Sequence, residues 1–406
     1  MARRTLLTTL LLMLFVPLSF AQFGKNKINY EKFDWKVYEA PHFDVYYYFD
    51  DPATLREVIS EAESAYYEFS RRLDHDVSRR IPLILYAKRT AFLRTNIQLM
   101  QLPDQVAAFT EPFQFRMVLP IDDPRADRYR LIRHELVHVF QFDILYGGSI
   151  RRTLRGQAPL WFMEGMASYL ADDENAFDQM VIRDGVVNNL IPSIRNMSRL
   201  GFLTYRYGHA VFDFVEQEYG SQGLKNLFFE VRKSLLAQNV NKAFQDAFNM
   251  NIDTFDRRFS RFLRKRYLPI LTDKRAPDEY GPEIGLTKPN RYTFSPTLSP
   301  SGELVAALAT PGMELDVVVF SARNGEVIRN LTKGFTNDYD KIVTGAFEGR
   351  RDLSWAPDGD RLAFFAEREN YRILMIYDPV DGDRLREIPI REITSCSSPA
   401  FSPDGR

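Results

Sequence analysis

Three stretches of the chain repeat one layout: "FSPTLSPSGELVAAL" (294–308), "LSWAPDGDRLAFFA" (353–366) and "SPAFSPDGR" (398–406). Each has a hydrophobic strand, a Pro-x-Gly turn, and a second strand of alternating apolar residues. The turn glycines Gly302, Gly359 and Gly405 recur at roughly fifty-residue intervals, the period of a four-stranded repeat plus a loop insertion near 335–350. Between the turns, "LDVVVFSARNGEVIRNLT" supplies two more strands around an Asn-Gly turn, and "YRILMIYDPVDGDRLREIPI" repeats that layout. A unit of four short strands cannot bury its own faces and must stack on a neighbour. Residues 293–406 are therefore constrained to an all-β region of stacked sheets.

These segments resemble the repeats of TolB-like and WD-type β-propellers; the alternative is an unrelated β-sandwich. Two blades and the start of a third cannot close a ring. The chain is therefore expected to be part of a longer protein whose remaining blades lie beyond residue 406.

Upstream, "TDKRAPDEYGPEIGLTKPNRYTF" holds three prolines and two glycines with little periodicity, so residues 273–292 read as a linker. Residues 22–272 form the other domain. "WKVYEAPHFDVYYYFDD" reads as a strand, and "DPATLREVISEAESAYYEFSRRLDHD" as a long helix capped by Asp51 with Pro52 in its first turn. "RIPLILYAK" is a strand and "VAAFTEPFQFRMVLPIDD" an extended strand or hairpin. Helices follow over 126–142, 161–170, 207–219, 223–236, 240–248 and 252–267, an α+β order that runs from mixed sheet to mostly helix.

The first residues, "MARRTLLTTLLLMLFVPLSFAQ", place Arg3 and Arg4 before an apolar run and end in Ser19-Phe20-Ala21. That is the pattern of a signal peptide cleaved after Ala21 (residues 1–21), and the run, broken by Pro17, is short for a membrane anchor. An exported chain is expected, periplasmic or secreted, with no membrane span once the signal is removed. Cys396 is the single cysteine, so no internal disulfide forms. With 53 basic and 54 acidic residues the charge is nearly balanced, and nothing points to nucleic acid.

The chemistry concentrates in "LIRHELVHVFQFD" (131–143), which carries two of the five histidines. His134 and His138 lie four residues apart, on one helix face, and can direct a ring nitrogen each at one cation. Glu135 sits beside them without being forced to ligate. The alternative is a core helix whose histidines are satisfied by hydrogen bonds. A catalytic zinc ion needs a third protein ligand. Glu164, in the otherwise apolar "PLWFMEGMASYLADD" (159–173), is an acidic residue that requires a partner of opposite charge. Gly165 and Ala167 let this helix approach the first closely.

The sequence His134-Glu135-Leu-Val-His138, followed by Trp-Phe-Met-Glu164-Gly-Met-Ala-Ser-Tyr, resembles the gluzincin metallopeptidases, in particular the bacterial peptidase MA-like domains. "YEAPHFDVYYY", "YRYGHAVFDFVEQEYG" and "VNKAFQDAFNMNIDTFDRRF" extend the likeness over roughly residues 35–270. The resemblance implies that His134, His138 and Glu164 hold a single Zn2+ per chain, with a water as fourth ligand. It implies that Glu135 takes that water's proton and later returns one to a leaving amine. An oxyanion donor would come from "LTYRYGHAV": Tyr207 first, Tyr205 and His209 as alternatives, against the reading of a plain core tyrosine. The 106–120 segment would be the edge strand along which a peptide lies. One departure is Ser168, where many zincins carry a carboxylate that orients a histidine; Asp143, Asp172 or a backbone carbonyl would have to serve instead.

The expected function is that of an exported zinc metallopeptidase acting on a peptide or protein, with a propeller that recruits a protein partner or restricts access. Two other readings remain: a non-catalytic periplasmic binding or scaffold protein with a structural metal site, and a protein whose hydrolase domain follows residue 406. "FDRRFSRFLRKRY" (255–267) reads as the solvated basic face of a packing helix, and His42 and His75 as structural or exposed.

Overall fold

The computed structural model describes residues 32–405 apart from 96, 98–105, 148, 150–155, 236–238, 274, 276–278, 282–291, 312–314, 335–338, 340, 346–349, 369–370 and 392–395. The signal segment and most of the linker thus lie outside the described residues, as does part of the expected insertion near 335–350.

The N-terminal region opens with strands β1 (Lys36–Glu39) and β2 (Phe43–Tyr47) and helix α1 (Pro52–Leu73). Asp51 caps α1 as expected, its carboxylate accepting from the Ala53 and Thr54 backbone N–H groups, with Pro52 at the first turn where no donor is needed. Strand β3 (Ile81–Tyr86), the short helix α2 (Arg89–Leu93) and strands β4 (Phe109–Thr110) and β5 (Met117–Pro120) follow. The strands form one mixed sheet in the order β1-β2-β3-β5-β4. β2, β3 and β5 run parallel, while β1 and β4 run antiparallel at its two ends. Val45, Leu83, Leu85, Met117 and Leu119 are completely buried beneath the helices, as the apolar alternation requires.

Helices α3 (Arg125–Tyr146), α4 (Leu160–Ala171), α5 (Ala176–Val187), α6 (Ile194–Met197), α7 (Leu203–Ser234), α8 (Val240–Phe248) and α9 (Ile252–Tyr267) complete this region, with the short α10 (Ile270–Asp273) at its end. Helix α5 lies between the helices expected at 161–170 and 207–219, in a stretch where the apolar spacing predicts none. It is started by a capping box, the Asn175 side chain accepting from the Asp178 N–H and the Asp178 carboxylate from the Asn175 N–H. The two helices expected over 207–236 are continuous except at Gly220, whose φ of 68° breaks the helical path. Helix α9 buries Phe255, Phe259, Leu263 and Tyr267 and leaves Arg257, Arg258, Arg261 and Arg264 outside, a solvated basic face. A continuous apolar core joins the sheet to α1, α3, α4, α7, α8 and α9.

The C-terminal region is all β. Strands β6 (Thr293–Leu298), β7 (Leu304–Ala309), β8 (Asp316–Ser321) and β9 (Val327–Asn330) form a four-stranded antiparallel meander. β10 (Lys341–Ile342), β11 (Leu353–Trp355), β12 (Leu362–Arg368), β13 (Tyr371–Tyr377) and β14 (Arg384–Ile390) form the second sheet. The repeated turns are the same in three dimensions. Gly302, Gly359 and Gly405 have φ of 76°, 81° and 76°, and each donates its N–H three residues back, to Ser299, Ala356 and Ser402. A positive φ at that point is the reason glycine recurs there. The sheets share one core, with Ala306, Leu308, Val317 and Val319 of the first meeting Trp355, Phe364 and Met375 of the second. They do not close into a ring.

Candidate metal centre

Helix α3 is buried nearly all round over its second half, and from Leu136 to Tyr146 only Phe142 is more than slightly exposed. The polar residues of that stretch, His138, Gln141 and Asp143, are therefore placed in the interior, and each has a partner. Arg133 is the anchor. Its guanidinium pairs with both oxygens of Glu68 on α1, lies over the Phe69 ring, and donates to the carbonyls of Leu170 and Ala171. Those carbonyls are the unpaired end of α4, so one side chain joins α1, α3 and the C-terminus of α4.

His134 and His138 follow on the face toward α4. Their rings stand edge to face at 4.9 Å. Glu164 of α4 presents a single oxygen, Oε2, to both: 3.3 Å from His134 Nε2 and 3.4 Å from His138 Nε2. Among the described residues these three form the only group whose donor atoms all lie within 4.8 Å and could hold a metal ion. The donor set fits zinc. Two imidazoles and a carboxylate are its usual catalytic ligands, and tetrahedral bonds of about 2.0–2.1 Å separate neighbouring donors by about 3.4 Å. Burial alone would lower the His138 pKa, but the Glu164 carboxylate overrides this and raises it. Burial would raise Glu164, but His138 and then His134 hold it well below the usual carboxylate range.

Glu135 points to the sheet side. Its Oε2 is 2.7 Å from Thr110 Oγ1 on β4, the end strand of the sheet, and the same hydroxyl lies 3.0 Å from the Glu135 carbonyl. Thr110 was not singled out in the sequence, where nothing separates it from any other strand threonine.

Tyr207, the first-ranked oxyanion donor, is not brought to this group. It is buried with its hydroxyl against Gly185 of α5, where a Cβ on that glycine would stand 1.8 Å away. Tyr205, one of the two alternatives, lies beside this group instead. Its ring lies nearly parallel to His134 at 6.2 Å, and its hydroxyl is close enough to Glu164 to feel that carboxylate's charge. Burial, reinforced by Glu164 and Glu135, raises its pKa strongly, so the hydroxyl keeps its proton and acts as a donor. The physical reason is rotation: positions two apart on a helix face about 200° from each other. His209 is one turn further along, edge-on to Tyr169 at 5.3 Å.

The groups behind the two histidines also differ from expectation. Asp143 is turned away, held by His75 Nε2 at 2.8 Å and by the backbone N–H and hydroxyl of Ser78. Asp172 accepts from the Asp173 backbone. It is Gln141, fully buried, that meets His138: its Oε1 is 2.8 Å from Nδ1, and its Nε2 donates to the Met163 carbonyl at 3.0 Å. Its spacing of three after a histidine is a helical-face signal that was present in the sequence. His42 pairs with Glu63 at 2.6 Å, so both lone histidines serve the framework. Gly165, expected to ease the approach to α3, packs instead against Gly208 of α7.

A cavity of about 640 Å³ lies away from this group, in the β region, with Thr297, Trp355 and Ser398 in its lining. Among the described residues no helix is long and apolar enough to cross a membrane.

No protein-family model matches the chain, and no curated protein does. Among solved structures it is similar to the crystal structure of TolB from Acinetobacter baumannii, at 17% identity and a TM-score of 0.21. That likeness covers 28% of this chain and 25% of TolB, so only about a quarter of TolB is spanned.

Proposed function

We propose that this chain is an exported zinc-dependent metallopeptidase of gluzincin type whose β region consists of propeller-type blades that recruit a protein partner or substrate. The observation that supports this most is the meeting of His134, His138 and Glu164 through their donor atoms, with Glu135 held separately beside the terminal strand of the sheet. The group that His134, His138 and Glu164 would hold is zinc, which supplies Lewis acidity toward a water and a substrate carbonyl.

The protein's own residues carry the rest. Glu135 accepts the proton of the attacking water at a carboxylate oxygen and returns a proton to the leaving amine nitrogen. Thr110 orients that carboxylate through Oε2. Tyr205 donates its hydroxyl to the oxygen on which charge develops. β4, paired on one side with β5, offers backbone groups along which an extended peptide adds as a strand. The repeated glycine turns and the shared core of the two β sheets support the propeller reading, and the N-terminal Arg-Arg and apolar run support export.

A second reading rests on the same carboxylate. Glu164 already touches both imidazoles, and such a charged triad satisfies their burial without catalysis. Metal analysis of the purified full chain separates the two. The expected result is a single zinc ion in the wild type and in Glu135→Gln, lost in His138→Ala, with peptide-library cleavage present only in the wild type. A folded wild-type protein that takes up no added zinc would rule the enzyme out.

A further inference from the structure

We infer that Gln141 is a positioning residue that fixes which ring nitrogen of His138 faces the site. The inference deepens the zinc reading and rests on it for its consequence, though the geometry itself stands without metal. Gln141 is fully buried, so no solvent can satisfy its carboxamide. Both ends of the amide are engaged: one lies 3.0 Å from the Met163 carbonyl, the other 2.8 Å from His138 Nδ1.

A carbonyl oxygen only accepts, so the amide NH2 belongs at Met163 and the amide oxygen at His138. The opposite orientation would set two oxygens against each other at Met163 and leave a buried acceptor without a donor. Since the amide oxygen also only accepts, Nδ1 must carry a hydrogen. With Nδ1 committed to Gln141, Nε2, 3.4 Å from the Glu164 carboxylate, is the ring nitrogen of His138 that faces the site and would give up its proton to ligate a cation. Gln141 does a second thing with its other end. Met163 directly precedes Glu164, so one amide ties the helix carrying His138 to the backbone beside the third ligand.

The test uses the full-length protein, with Gln141→Leu (acceptor removed) and Gln141→Glu (acceptor kept). Two readouts are taken: two-bond proton–nitrogen correlations of the His138 ring, assigned with His138→Ala, and zinc affinity against a competing chelator. In the wild type, Nδ1 should carry a slowly exchanging proton and zinc should bind at Nε2. Gln141→Leu should lose that protection and bind zinc about 10–100-fold more weakly. Gln141→Glu should retain the Nδ1 proton and most of the affinity. A Leu variant with unchanged ring signals and zinc affinity within about twofold of wild type would overturn the inference. If the Leu variant does not fold, a Glu variant lacking the Nδ1 proton does so. If the wild type binds no zinc, the zinc reading fails alone, and the metal-free ring spectrum decides: a protected Nδ1 proton lost in Gln141→Leu upholds the role of Gln141, and its absence from the wild type refutes it.

Discussion

Gly165 of α4 and Gly208 of α7 meet backbone to backbone: a Cβ on Gly165 would stand 2.4 Å from the Gly208 carbonyl carbon, and one on Gly208 would stand 2.6 Å from the Trp161 oxygen. Neither neighbour is a flexible side chain that can step aside. This crossing brings α7 close enough to α4 for Tyr205 to reach Glu164. Gly165→Ala should therefore push the two helices apart and cost about 1–3 kcal/mol of stability. Urea unfolding of the variant checks this, and a change below about 0.5 kcal/mol would mean that the helices are free to adjust.

Tyr205 and Tyr207 make opposite predictions under the proposed peptidase activity. Tyr205→Phe removes the hydroxyl beside Glu164 and should lower kcat by about 10²–10³, the usual loss for an oxyanion donor, with little change in KM. Tyr207→Phe, altering a hydroxyl packed on Gly185, should leave kcat within a few-fold. Steady-state kinetics on one peptide substrate, run for both variants, distinguishes them; the reverse order would place the donor on the other face of α7.

Glu174, just after α4, is nearly buried, and its ion pair with Arg266 is long at 3.5 Å. Burial pushes its pKa up to about 7; Arg266 opposes this, and Asp213 and Asp178 add to it. The folded carboxyl therefore holds its proton more tightly than the unfolded one, whose ordinary value is 4.5. Between those values the folded state binds more protons, so this group's contribution to stability falls as pH rises through that window and is level above it. Glu174→Gln, a neutral isostere, should be more stabilising at pH 8 than at pH 5, by about 1–3 kcal/mol. Equal differences from wild type at the two pH values would show that Glu174 does not titrate in this range.

The elements of the N-terminal region were readable where a local rule decides them. Asp51 with Pro52 marks a helix start whatever surrounds it, and the apolar spacing of Phe255, Phe259 and Leu263 defines one face of α9. Helix α5 was missed because its start depends on a capping box between Asn175 and Asp178 and its interior is interrupted by Asp184 and Gly185. Only its packing on α7 and α9 makes that segment worth folding.

The sequence alone determined what is periodic or covalently close. The spacing of four puts His134 and His138 on one face, the lone carboxylate in an apolar helix marks Glu164 as needing a partner, and the recurring glycine reserves a left-handed turn in each β repeat. Tertiary structure alone decided which groups meet across elements: Tyr205 rather than Tyr207 beside Glu164, Thr110 on Glu135, and Gln141 between His138 and Met163. The reason is rotational. A helix pattern says which residues share a face but not how that face is turned toward its neighbours. For α7 that angle is set by the glycine contact with α4, a property of two distant segments that neither encodes by itself.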